Sequence, residues 1–150
     1  MPASHYQKPD WMTKHVMNPL LSGLTALGLG LRGMHILTVR GRKTGKAFGT
    51  PVNPLVLESG RYLVAPRGET GWVRNIRVSG EGELRLGRKR ERIRVVELSD
   101  AEKPPLLREY LKRWKMETGK FFDGVSDESP DDELRRIAPR HPVFRIIDAP

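Results

Sequence analysis

The chain reads as a small, mostly antiparallel β-barrel of α+β type, and three observations predict it. Short apolar runs of period two recur: "HILTVR" (35–40), "TPVNPLVL" (50–57), "RYLVA" (61–65), "GELRLGRKRERIRVVEL" (82–98) and "VFRIID" (143–148). Hairpin-sized turns join several of them. Helical patterns stand before, between and after these runs without the regular alternation that a doubly wound parallel sheet requires. The length of 150 residues is that of one domain able to bury its own core.

In chain order, the first element is a helix within "HVMNPLLSGLTALGLGLR" (15–32). Asn18 caps it, Pro19 opens it, and Leu20, Leu21, Leu24, Leu27 and Leu31 share one face. We expect this N-terminal apolar helix segment to occupy 1–34 and the barrel 35–150, within a single domain overall. The strands 50–57 and 61–65 are joined by "ESG", a tight turn. Trp72, Val73 and Ile76 then have helical spacing, so a short helix interrupts the strands. Residues 82–98 turn around Gly87 as a second hairpin with one cationic face. Ser99 and Glu102 form a capping-box signature ahead of Pro104, and a helix follows to about Met116, with Leu107, Tyr110, Leu111 and Trp114 on one side. The acidic loop 123–133 leads to a short helix near "ELRRIA" and a last strand at 143–148.

Composition narrows the function classes. With no cysteine there is no disulfide framework, thiol nucleophile or thiolate metal site, which fits the cytoplasm. A formal charge of +9 and a pI near 10.3 favour anionic partners. The apolar stretch 15–32 is too short and too rich in glycine and proline for a membrane span, and no cleavage site follows it. It is read as a helix packed on the domain; peripheral contact with the inner face of a membrane, or a pocket lid, is the alternative.

Several motifs almost fit. "GLGLRG" (28–33) matches G-x-G-x-x-G but stands between a helix and a strand, the reverse of the dinucleotide fingerprint. "GRKTGK" (41–46) has three residues between its glycines where a P-loop has four, and Ala47 follows where a hydroxyl would hold magnesium. His5, His15, His35 and His141 are scattered singly, so no metal site is expected. Asp127, Glu128, Asp131, Asp132 and Glu133 read as a solvated loop and helix start. Arg85, Arg88, Lys89, Arg90, Arg92 and Arg94 form a basic hairpin, yet 82–98 contains no aromatic to stack bases, and nucleic acid is not the expected partner. What remains is the strand-to-turn junction at 40–46, where cations, a hydroxyl and outward backbone amides await an anion.

Taken together, "LTVRGRKTGKAFGTPVNPLVLESGRYLVAPRG" followed by "GWVRNIR" resembles the deazaflavin-dependent nitroreductase family, one of the split β-barrel flavin and deazaflavin oxidoreductases. The likeness covers 35 to about 98. It implies a split barrel and the cofactor coenzyme F(420), an 8-hydroxy-5-deazaflavin with a phospholactyl and oligoglutamate tail. On that resemblance Arg42, Lys43 and Thr44 would hold the tail by charge-assisted hydrogen bonds, and Gly49, Thr50 and Pro51 would continue that wall. Ala65, Pro66, Arg67 and Gly68 match the turn facing the deazaflavin ring. Gly71, Trp72, Val73, Arg74 and Asn75 match the short helix closing over it.

Two departures stand out. Phe48 occupies a position where many members carry arginine, and Val52 and Asn53 stand where nitroreductase and quinone-reductase members carry tyrosine, so no general acid is assigned. The expected activity is hydride transfer from reduced F(420) to an electron-poor apolar acceptor: a quinone, enone, nitro compound or unsaturated lipid. The alternatives are an enzyme of the same fold using flavin mononucleotide (FMN), a non-enzymatic lipid or cofactor carrier, and a basic nucleic-acid-binding domain.

Overall fold

The computed structural model describes residues 34–148. Seven strands form one antiparallel sheet: β1 (His35–Arg40), β2 (Ala47–Val52), β3 (Leu55–Leu57), β4 (Gly60–Val64), β5 (Glu81–Leu86), β6 (Lys89–Glu97) and β7 (Val143–Asp148). Their order across it is β2-β1-β5-β6-β7-β4-β3. The described helices are α1 (Gly71–Ser79), α2 (Pro104–Thr118) and α3 (Asp131–Ile137). The curled antiparallel sheet with flanking helices is the expected α+β split barrel. The N-terminal helix and its capping residues lie outside the described residues.

The expected strand 50–57 is in fact two strands. It breaks at Asn53-Pro54, and β2 and β3 lie at opposite edges of the sheet. Pro54 has no N–H for a ladder and restricts the residue before it, so pairing with β1 stops at His35 opposite Val52. The chain leaves one edge there and restarts at the other. The two hairpins form as read: Leu57 pairs with Gly60 across the first turn and Leu86 with Lys89 across the second. Gly87, at φ 61°, takes the left-handed conformation that its turn requires.

Alternation along β4 divides the core between the two faces of the sheet. Leu63 and the following Ala65 join Leu37, Val39, Leu84, Ile93, Phe144 and Ile146, and α1 covers this cluster with Val73 and Ile76. Tyr62 and Val64 face the other way, toward Leu107, Tyr110, Leu111 and Trp114 of α2 and Leu134 and Ile137 of α3. Each fully buried leucine or isoleucine here contributes roughly 1.5–3 kcal/mol. The capping box forms, with Ser99 N–H donating to Glu102 Oε2 at 3.0 Å, and it introduces α2. Lys103 is buried but satisfied, bonding Asp100 and the Ala138 carbonyl.

Arginine–carboxylate pairs tie the layers together. Arg61 grips Glu91 with two bonds of 2.8 and 2.6 Å, joining β4 to β6. Arg77 of α1 bonds both Glu97 and Glu69. These arginine hydrogen bonds hold the Glu69 and Glu91 carboxyls below their ordinary value, and Arg136 does the same for Asp123. A carboxylate whose folded pKa is depressed stabilises the fold above its unfolded pKa and loses that contribution as pH falls through the folded value. The urea midpoint is therefore expected to drop as pH goes below about 4.5, the ordinary carboxylate value. A midpoint unchanged between neutral pH and about pH 3 contradicts this reading.

Candidate functional site

The site grows from the end of β1. After Arg40 the chain makes a closed turn: Gly41 N–H donates to Lys46 O at 2.7 Å and Gly45 N–H to Gly41 O at 2.9 Å. Arg40 caps the turn from Nη1 to Gly45 O, and Thr44 Oγ1 accepts the Lys46 N–H. Gly45 sits at φ 74°, as such a turn demands. The Lys43 and Lys46 side chains take no hydrogen bond or ion pair among the described residues, so both charges are free for an anion.

Arg42 behaves differently. Its backbone N–H and its Nη1 both donate to Asn75 Oδ1, at 3.1 and 2.8 Å, and Asn75 is buried in α1. This clamp seats the cationic turn on the helix. Among the described residues, the beginning of α1 carries unspent polarity of its own. Thr70 is the N-cap residue yet makes no side-chain capping bond, its Oγ1 is shut from water without a partner, and no acidic residue stands in the first turn. The free N–H groups and positive dipole end of a helix start favour an anion.

The turn 65–68 is held from the far end of the chain. Ala65 N–H donates to Pro142 O at 2.9 Å, and Ala65 O accepts from Gly68 N–H and from His141 Nδ1, which is therefore the protonated ring nitrogen of that bond. His141 is buried and stacks on Phe122 with centroids 4.2 Å apart. Arg67 lies over the Phe121 ring at 5.6 Å, which orients its guanidinium, and Pro66 is half-buried beside it.

The expected site residues fall into groups. Arg42 meets α1 at Asn75 and so seats the turn that carries Lys43 and Thr44. Ala65 to Gly68 lead directly into its first turn, Gly71 and Trp72, and the Trp72 ring lies 5.8 Å from Phe144. The Val73 side chain is fully buried in the core, so only its backbone could meet a ligand. Arg74 is half-buried on the same helix. On β2, pairing with β1 puts Thr50 on the α1 face opposite Leu37, while Gly49 and Pro51 sit on the other face opposite Thr38 and Ile36. A Cβ on Gly49 would approach Ile36 Cγ2 to 3.2 Å, so a side chain there would press on Ile36. Gly71 has nothing within 4 Å of a Cβ position, so the fold does not require glycine there.

Thr70 and His141 do not stand out in the sequence, and Lys46, one of the cations of the 40–46 junction, is not among the residues that the resemblance assigns to the cofactor. A threonine before a helical pattern is the cap signal that could have marked Thr70. His141 is 76 residues from Ala65 and carries no local mark. Phe48, 52% exposed, lies against the turn: a Cβ on Gly41 would come within 2.8 Å of its ring.

An antiparallel split barrel with a cationic turn clamped to α1 defines the class: a split-barrel protein. Solved structures share this fold. They include a protein solved as a domain-swapped dimer (TM-score 0.56, 19% identity, 92% of this chain and 98% of that one). An F(420)-H(2) dependent reductase, FDR-A, matches at TM-score 0.50 and 18% identity over 77% of this chain and 95% of its own. A conserved hypothetical protein from Mycobacterium tuberculosis matches at TM-score 0.54 and 13% identity over 98% and 84%. No curated protein gives a significant match. The family model for F(420)H(2)-dependent quinone reductase matches residues 11–121, most of the chain. The chain belongs to that family, and it is a deazaflavin-dependent reductase.

Proposed function

We propose that the protein passes a hydride from reduced coenzyme F(420) to an electron-poor, apolar, quinone-like acceptor, with enones, nitro compounds and unsaturated lipids as further candidates. The observation that carries this reading is the Arg42–Asn75 clamp. It seats the turn that carries two unpaired lysines on the helix whose uncapped start has a threonine hydroxyl without a partner. Those groups fit an anionic cofactor tail. Lys43, Lys46 and the remaining N–H donors of Arg42 would hold phosphate and carboxylates, and the Arg67 amide with those of 71–73 would lie along the ring.

When bound, the reduced deazaflavin supplies the hydride. The chain supplies position and electrostatics: the clamp fixes the turn, His141 and Pro142 fix Ala65, and Trp72 and Phe48 offer apolar surface to the acceptor. Among the described residues no helix is long and apolar enough to cross a membrane. The test is anaerobic turnover, with reduced F(420) mixed with a soluble quinone, an enone or a nitro compound and the return of oxidised cofactor followed by absorbance. Turnover fastest with the quinone is expected. Cofactor binding without turnover on any acceptor would make the protein a carrier.

A further inference from the structure

The described cations fall into two groups. Many hold a carboxylate, as Arg61, Arg77, Arg108, Arg113, Arg136 and Arg140 do, or a backbone carbonyl, as Arg40 and Arg145 do. Apart from Lys120, which lies over the Phe121 ring, those with no hydrogen bond or ion pair among the described residues gather in two places. Lys43 and Lys46 belong to the site above; Arg85, Arg88, Lys89, Arg90 and Arg94 stand on the β5–β6 hairpin. The hairpin tip lies at the end of the sheet away from the 41–46 turn, because β1 runs toward that turn and the antiparallel β5 runs toward the tip.

Register shows what this hairpin presents. Arg85 is opposite Arg90, Glu83 opposite Arg92 and Glu81 opposite Arg94, all on the face away from the buried Leu84 and Ile93. Across to β7, Arg94 is opposite Ile147 and Val96 opposite Arg145. Like charges directly opposed across a sheet are destabilising, and Arg85 Nε is shut from water with no acceptor. Two acids on this face, one of them already touching Arg92 at 3.5 Å, leave a clear cationic excess. Val96 and Ile147 remain 51% and 38% exposed among these arginines.

We propose that this strip of β5, β6 and β7 docks on an anionic lipid bilayer, with the guanidinium groups on lipid phosphates and Val96 and Ile147 in the interface. Charge complementarity selects an anionic partner. The aliphatic pair selects the bilayer over nucleic acid: it gains by leaving water at an acyl boundary but nothing on duplex phosphates, and a single strand calls for stacking aromatics, absent from 82–98. The proposal stands apart from the cofactor assignment and uses none of its residues.

Sedimentation of the full chain with vesicles of equimolar phosphatidylcholine and phosphatidylglycerol, against phosphatidylcholine alone, tests it. Binding only to the anionic vesicles is expected, weakening with salt. The triple variant Arg88→Gln, Arg90→Gln, Arg94→Gln should lower the partition coefficient on the order of a hundredfold. Val96→Ser with Ile147→Ser should lower it about tenfold without changing the salt slope. Both variants should keep the wild-type melting temperature and F(420) affinity, which separates lost docking from lost folding. No binding to anionic vesicles, binding that both variants retain, or tighter binding to duplex DNA that ignores the aliphatic pair would each overturn the proposal.

Discussion

Replacing Lys43 and Lys46 together by alanine is expected to raise the F(420) dissociation constant about a hundredfold while changing folding stability by less than about 0.5 kcal/mol. Both side chains are exposed and take no partner among the described residues, so the free protein loses no contact. In the complex each would form a charge-assisted bond to the anionic tail, worth about 1.5 kcal/mol at an exposed position, and 1.4 kcal/mol is tenfold. The wild-type affinity should fall with added salt and the variant's should fall less. Titration by cofactor fluorescence beside urea unfolding checks both halves. A dissociation constant within about twofold of wild type would remove the turn from the site.

Phe122→Ala is expected to cost about 3–5 kcal/mol of stability, a large share of the roughly 5–15 kcal/mol typical of a domain. Phe122 is fully buried, 6.1 Å from the Tyr110 ring and stacked on His141 at 4.2 Å. Its loss opens a cavity under α2 and frees the imidazole that holds the Ala65 carbonyl. Weaker F(420) binding should therefore accompany the lost stability although Phe122 touches no expected ligand. Where the alanine variant is too unstable to purify, Phe122→Leu reports the same effect at about 1–1.5 kcal/mol. Urea unfolding that puts the alanine variant within about 1 kcal/mol of wild type would contradict the packing described.

Local signals in the sequence account for part of this architecture. The hairpins at Ser59-Gly60 and Gly87, the capping box at Ser99 and the helical spacing of Leu107, Tyr110, Leu111 and Trp114 are local signals, and each formed as read. The break at Asn53-Pro54 was hidden because the apolar pattern continues through Leu55 and Leu57. Sheet order depends on contacts between distant segments, so nothing local places β2 and β3 at opposite edges. The cationic turn was visible as composition. Its clamp to Asn75, 33 residues away, was not, and neither was the hold of His141 on Ala65. Asn75, in the helix expected to close over the ring, also accepts two hydrogen bonds from Arg42.

The central claim, that the turn and helix start bind a deazaflavin cofactor, is tested most directly by titrating the purified protein with oxidised F(420) and with FMN in parallel at the same salt. The account predicts saturable, salt-sensitive binding of F(420) preferred over FMN by at least about tenfold. Equal or tighter binding of FMN, or binding of neither, would contradict it.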